Sequence, residues 1–334
     1  MTNIDGIRQT YGMTIILDEL DRRIIGVLQV DGRASFKSVA QILHLPERTV
    51  SRRGQELLAD GTIQITGLTE NDALVKKETI VVRVECAPGT NRLVATALSA
   101  LKESIFVYLT SGSNICITEL FSSRRRLTDL TLNLVPGIPG VLGVTSYQCL
   151  KYHRTAAQWN PGILSPSERS QLMDTRPVVS HDHIELDRED KIILETLALN
   201  GRASFDQLAR TCGLSEATAR RRTTKLIEAG ALSIHAVVEP SDIGFPIESW
   251  IWIQTSPENV SNTIENLLSD NRIRYLAAIS GEYQLLAQIA LGTNSELNDF
   301  LYEKQNWSNQ VTKIESLLMM EAFKRSGLQV LRKN

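Results

Sequence analysis

Two short stretches hold the residues best suited to chemistry with a polyanion. Arg48, Thr49, Ser51, Arg52 and Arg53 form one; Thr218, Arg220, Arg221, Arg222 and Lys225 form the other. A guanidinium can donate two parallel hydrogen bonds to a phosphate or to the O6 and N7 acceptors of guanine, and hydroxyls reach phosphate oxygens. Arg33 with Ser35, and Arg202 with Ser204, add a second basic and hydroxyl pair at the start of a predicted helix, where free backbone N–H groups favour an anion. The formal net charge is only −2, so any nucleic-acid affinity must come from such local clusters.

The two stretches are equivalent parts of one repeat. Leu17-Asp18, Gly32-Arg33-Ala34-Ser35-Phe36, Thr49, Arg52-Arg53, Leu57 and Gly61 recur 169 residues later as Leu186-Asp187, Gly201-Arg202-Ala203-Ser204-Phe205, Thr218, Arg221-Arg222, Leu226 and Gly230. Over 17–63 against 186–232 there are 18 identities without a gap. A repeat of this length is one supersecondary unit copied, and it sets the architecture.

Each copy reads as three helices. Asp18 and Asp187 cap the first, Ser35 and Ser204 the second. Ile24, Ile25 and Leu28 recur at helical spacing. Asp31-Gly32 predicts a stop with glycine in a left-handed turn. His44-Leu45 and Gly213-Leu214 mark the turn of a helix-turn-helix, and Pro46 suits the start of the third helix. Val50, Leu57 and Leu58, or Ala219, Leu226 and Ile227, then face inward, leaving the arginines outward. The outward faces differ: Arg48, Ser51 and Gln55 stand where the second copy has Ala217, Arg220 and Thr224. Gly54 in mid-helix costs about 1 kcal/mol relative to Ala and predicts a less rigid first helix unit.

An alternating segment follows each helical unit. Ile80–Cys86, Ile105–Thr110, Ile115–Leu120 and Leu142–Leu150 read as strands, with helices at Asn91–Lys102 and Ser123–Leu134. Ser249–Thr255, Ile273–Ser280, Tyr283–Leu291 and Val311–Met320 repeat the strands, with helices at Pro257–Leu268 and Ser295–Gln305. The order β-α-β-β-α-β predicts a ferredoxin-like domain. The expected organisation is a helix-turn-helix domain over 15–66, a ferredoxin-like domain over 78–153, a turn-rich linker over 154–183, a second helix-turn-helix domain over 184–236 and a second ferredoxin-like domain over 245–325. The fold class is α+β: two repeats of a winged or three-helix helix-turn-helix domain followed by a ferredoxin-like βαββαβ domain.

These motifs resemble the Lrp/AsnC, or feast/famine, family of transcription regulators. The resemblance rests on Leu17-Asp18…Asp21, Gly32-Arg33, Leu45-Pro46-Glu47-Arg48-Thr49-Val50-Ser51-Arg52-Arg53 and Gly61-Thr62-Ile63, and on Leu186-Asp187, Leu214-Ser215-Glu216-Ala217-Thr218, Arg221-Arg222, Gly230 and Glu239-Pro240…Gly244. It implies a sequence-specific regulator binding double-stranded promoter or operator DNA. The αβ domains would be ligand-sensing (RAM) domains that pair as a dimeric α/β barrel, with an amino acid or related metabolite at their interface. The chain would act as a pseudo-dimer and assemble into homo-oligomers in the cytoplasm, associated with the nucleoid. The turns Ser111-Gly112-Ser113-Asn114 and Ser280-Gly281-Glu282-Tyr283 occupy the family's effector-loop position, making Ser111, Gly112, Asn114, Ser280, Gly281 and Tyr283 candidate ligand contacts. Both lack the aspartate the family commonly has two residues after the glycine.

Other classes leave weaker traces. The four cysteines have no Cys-x-x-Cys spacing, His181-Asp182-His183 has no third ligand near it in sequence, and no nucleophile–base set or phosphate loop occurs, so no metal, cofactor or enzymatic activity is expected. No apolar run is long enough to span a membrane. Two alternatives share the architecture: a fused siroheme-decarboxylase-like enzyme of tetrapyrrole metabolism, and a chromosome-organising protein of low sequence specificity.

Overall fold

The computed structural model describes residues 17–68, 77–112, 114–174, 185–302 and 310–330. His181, Asp182 and His183 lie outside them.

The first unit is α1 (Glu19–Val30), α2 (Phe36–Leu43) and α3 (Glu47–Ala59). Asp18 and Ser35 cap the first two by accepting from the backbone N–H of Asp21 and Ser38. His44 takes the left-handed conformation, φ 53°, that Gly213 takes at φ 68° in the second copy. A strand, β1 (Ile63–Leu68), follows. The second unit repeats this with α7 (Arg188–Leu199), α8 (Phe205–Cys212), α9 (Glu216–Glu228) and β6 (Ser233–Val238).

Among the described residues, neither unit makes a hairpin wing of its own. β1 and β6 pair antiparallel with each other, and Thr66 lies opposite His235, its own equivalent in the repeat. A local two-fold axis therefore passes between them. The two units share one hydrophobic core, from Ile24, Leu28, Val50 and Leu57 across Ile65 and Ile234 to Ile193, Leu197 and Leu226. Full burial of each such side chain contributes about 1.5–3 kcal/mol.

This crossing explains the two repeated glycines, and it corrects the expected left-handed turn. Gly32 is not in the positive-φ region. A Cβ there would lie 2.9 Å from the Ile234 carbonyl oxygen, and one on Gly201 2.9 Å from Ile65. Each glycine N–H instead donates across the axis, Gly32 to Ile234 and Gly201 to Ile65, both at 2.8 Å.

The αβ halves comprise β2 (Glu78–Cys86), α4 (Asn91–Ala100), β3 (Ser104–Thr110), β4 (Ile115–Ser122), α5 (Arg124–Asp129, continuing as a π-helical turn to Leu134) and β5 (Val141–Arg154), then β7 (Ile247–Thr255), α10 (Val260–Leu268), β8 (Ile273–Ile279), β9 (Leu285–Leu291), α11 (Asn294–Tyr302) and β10 (Val311–Arg325), with β11 (Leu328–Gln329) as a short return. They close into one barrel in the order β10-β3-β4-β2-β5-β8-β9-β7, β7 pairing back to β10. The last strand of each half is longer than its hydrophobic pattern suggests. Its first part pairs within its own half and its second part crosses to the other: β5 to β2 and then β8, β10 to β7 and then β3. The helices cover the outside with separate apolar layers, while one aromatic core drawn from both halves fills the inside.

The described part of the segment expected as linker, 154–174, packs against the units on either side. Trp159 is buried, its Nε1 donates to the Asn271 carbonyl at 2.9 Å, and it packs edge-on to Phe245. The helix α6 (Pro166–Asp174) sits on α1, where Glu168 pairs with Arg23 and Leu164 fills the space beside Gly26. This brace anchors the first three-helix unit to the second αβ half.

Candidate nucleic-acid interface

α3 and α9 present their outer faces to solvent because Val50 and Leu57, and Ala219 and Leu226, pin the inner faces to the shared core. On α3, Arg48, Arg52 and Gln55 are exposed, with Thr49 and Ser51 half-buried at the edge. On α9, Ala217, Arg220, Arg221, Thr224 and Lys225 are exposed and line a shallow concavity with Glu216. Arg52 holds Glu56 at 2.8 Å and Arg220 holds Glu216 at 3.2 Å, each one helical turn away. Exposed pairs of this kind contribute about 0.3–0.5 kcal/mol, so they hold either arginine only weakly to its own helix. Among the described residues neither Arg48 nor Arg221 takes part in an ion pair. Ser35 and Ser204 are exposed N-caps.

Four of the arginines singled out in the sequence do other work. Arg53 pairs with Asp18 and Asp21 of α1, and Arg222 with Asp187 and Asp190 of α7, the latter at 2.6 and 2.8 Å. They fasten the third helix of each unit to the first. Arg33 crosses the two-fold axis to donate to the carbonyls of Gly201 (3.1 Å) and Ala203 (3.0 Å). Arg202 returns the contact to Gly32 (2.9 Å) and Ala34 (2.8 Å). Each also lies on the other unit's phenylalanine, Arg33 over Phe205 and Arg202 over Phe36. Burial pushes both guanidinium pKa values down. Two of the five N–H donors of each guanidinium go to carbonyls across the axis and one face lies on an aromatic ring, so Arg33 and Arg202 have a structural role that the sequence did not show. Identity in both copies, the signal that marked these four, is equally what a shared internal joint requires.

Gly54 has a structural reason too. A Cβ there would lie 2.2 Å from the Phe36 ring, so the glycine seats Phe36 instead of loosening α3.

The two serine-glycine turns lie at the seams of the barrel. The N–H of Ser111 donates to the Leu318 carbonyl (2.7 Å) and its Oγ accepts from the Leu318 N–H (3.1 Å). Ser280 does the same with Gln148, at 2.9 and 3.1 Å. Gly112 and Gly281 have φ of 93° and 114°, conformations that favour glycine. Asn114 is left-handed at φ 55°. Tyr283 is buried, and its hydroxyl donates to Glu315 at 2.7 Å. The six residues thus fall into two equivalent sets, one at each seam.

Inside the barrel, sequence reasoning missed a polar set that had a visible signal: charges within apolar strand runs. Arg83 donates to both carboxylate oxygens of Glu315, at 2.9 and 2.7 Å. At the other end Arg325 is fully buried and holds Glu248 (2.6 Å), Glu239 (2.9 Å) and the Tyr108 hydroxyl (3.3 Å). Glu239 directly follows β6, so Arg325 ties the barrel to the strand of the second three-helix unit.

Comparison with known proteins supplies the family context. The family model for the AsnC-type helix-turn-helix domain matches twice, at 17–58 and 186–227. The transcriptional regulator Ptr1 of Methanocaldococcus jannaschii is 32% identical over 140 residues, covering 42% of this chain and 95% of that protein. The regulator LrpA of Pyrococcus horikoshii is 29% identical over 140 residues, covering 42% of this chain and 99% of its own. Each such relative is thus about one half of this chain. Among solved structures, the siroheme decarboxylase NirDL superposes over 95% of both chains with a TM-score of 0.62 at 14% identity, a likeness of fold.

Proposed function

Because this chain belongs to the Lrp/AsnC family of transcription regulators, in a tandem form with two copies of the family's domain pair, we propose that it binds double-stranded promoter or operator DNA sequence-specifically through both reading helices. The observation that carries this is the pair α3 and α9, held on one core about a two-fold axis with unlike arginine-bearing faces outward. In a helix-turn-helix the second helix of the motif enters the major groove, and operator symmetry mirrors protein symmetry. Arg48, Thr49, Ser51 and Arg52 read one half-site; Thr218, Arg220, Arg221 and Lys225 read the other. Ser35 and Ser204 contact flanking phosphates. The unlike faces favour an imperfect palindrome. A small metabolite near the seam turns at Ser111–Asn114 and Ser280–Tyr283 modulates binding, and chains associate into oligomers on DNA in the cytoplasm.

The test is fluorescence anisotropy with DNA from upstream of the protein's own gene against a shuffled duplex, at near-physiological salt. The intact protein should prefer the native fragment. A variant with Arg48, Arg52, Arg220 and Arg221 changed to Ala should lose that preference while keeping its thermal midpoint. Equal binding to both duplexes with a steep salt slope would favour the chromosome-organising alternative. No binding to either, with an absorbance change on adding a carboxylated tetrapyrrole, would favour the decarboxylase-like one.

A further inference from the structure

The barrel repeats its strands but not its interior chemistry. In the ladders, Arg83 on β2 lies opposite Thr145 on β5, and Trp252 on β7 lies opposite Glu315 on β10. These are equivalent positions of the two halves, yet one pair is Arg and Thr and the other Trp and Glu. Arg83 lies with its guanidinium 5.1 Å from the centre of the Trp252 ring. It meets Glu315 in the two-toothed geometry by which arginine recognises a free carboxylate. The Tyr283 hydroxyl supplies a third donor to the same carboxylate, and Tyr147 packs on Trp252 with ring centres 4.7 Å apart. A cation, a hydroxyl donor and an aromatic floor thus converge on one carboxylate that belongs to the protein itself. The corner is not sealed: the Glu315 side chain is 29% exposed, and the rim carries an exposed ion pair, Lys313 with Glu282.

We propose that Arg83 and Tyr283, set over Trp252, form a binding site for the carboxylate of a small organic acid, and that Glu315 is its resident intramolecular occupant. A free ligand binds by displacing the Glu315 side chain. Glu315 and Arg325 lie on the same strand, and Arg325 grips Glu239 beside β6, so the exchange acts on the strand that meets the second reading unit. The proposal rests on the reading that a small metabolite binds beside the seam turns, since Tyr283 belongs to both; its test contains no DNA, so failure of this site and failure of the DNA-binding reading are told apart.

Glu315→Ala deletes an acetate-sized fragment, which makes acetate the probe. Thermal midpoints are measured for the full chain, Glu315→Ala and the double variant Arg83→Met with Glu315→Ala. Each is measured in about 0.1 M acetate, acetamide and chloride at matched ionic strength. Acetate should raise the midpoint of Glu315→Ala by roughly 2–4 °C over chloride. Acetamide should not, and neither the unaltered chain nor the double variant should show the excess. An equal effect on the unaltered chain, persistence without Arg83, an equal effect of acetamide or no effect of acetate would each overturn the proposal. Should Glu315→Ala fail to fold in chloride, the read-out becomes refolding yield, and the absence of acetate-specific recovery overturns it equally.

Discussion

Arg33 and Arg202, equivalent residues of the two repeats, each donate to backbone carbonyls in the other's turn, at 2.8–3.1 Å. Hydrogen bonds to a charged group contribute about 1.5–3 kcal/mol net. Arg33→Ala and Arg202→Ala are therefore each expected to destabilise the joined three-helix units by that order in urea unfolding. The double variant should cost less than the sum, since the two clasps hold one joint. The alternative outcome is equally readable: an unchanged unfolding midpoint with a shallower salt dependence of DNA binding would make them phosphate contacts.

Gly54→Ala sets two effects against each other. Helix propensity favours alanine by about 1 kcal/mol. The Phe36 ring, 2.2 Å from the new Cβ, must move, and Arg202 rests on that ring. Overpacking of this kind costs about 1–3 kcal/mol. Net destabilisation is expected, read as a lower thermal midpoint. A gain in stability would show that the ring has room to shift.

Arg221 has no ion pair among the described residues, whereas Arg52 is paired with Glu56. Arg221→Ala is expected to flatten the plot of log affinity against log salt by about 0.9 if the residue neutralises one phosphate. If it reads guanine instead, the substitution should cost about 1–3 kcal/mol on the preferred duplex and little on a shuffled one. Titrations at several salt concentrations on both duplexes decide between the roles. No change on either duplex would remove Arg221 from the interface.

The Arg83 guanidinium, through its hydrogen bonds, holds the Glu315 carboxyl below its ordinary 4.5. A carboxylate with a depressed folded-state pKa contributes stability that is fully present above the unfolded value. That contribution is lost as the pH falls through the folded one. The gap in thermal midpoint between the unaltered chain and Glu315→Gln should therefore be constant well above pH 4.5 and narrow as the pH falls below it. A gap that persists in acid would mean that packing at this position, not charge, sets the difference.

The helix-turn-helix units were legible because their signals are local. Asp18, Ser35, Asp187 and Ser204 cap the helix that follows each of them, and the apolar stripe of each helix has its own period. The αβ elements were legible for the same reason, with their ends displaced where β5 and β10 run on into the opposite half. What each arginine does was less legible. A repeat makes every internal joint occur twice, so Arg33, Arg53, Arg202 and Arg222 carry the same mark of duplication as residues that face outward.

The sequence by itself determined the duplication, the helix caps, the strand order and the outward arginine faces, because each depends on neighbours a few residues away or on comparison of one copy with the other. Only the tertiary structure decided that Gly32 and Gly201 let two strands cross, that Arg33 and Arg202 clasp opposite units, and that Arg83 and Glu315 meet inside the barrel. Those partners lie from 136 residues apart, Ile65 and Gly201, to 232, Arg83 and Glu315. Hydrogen bonding and close packing act over a few ångströms, so such pairs exist only once β1 meets β6 and the two halves close into one barrel.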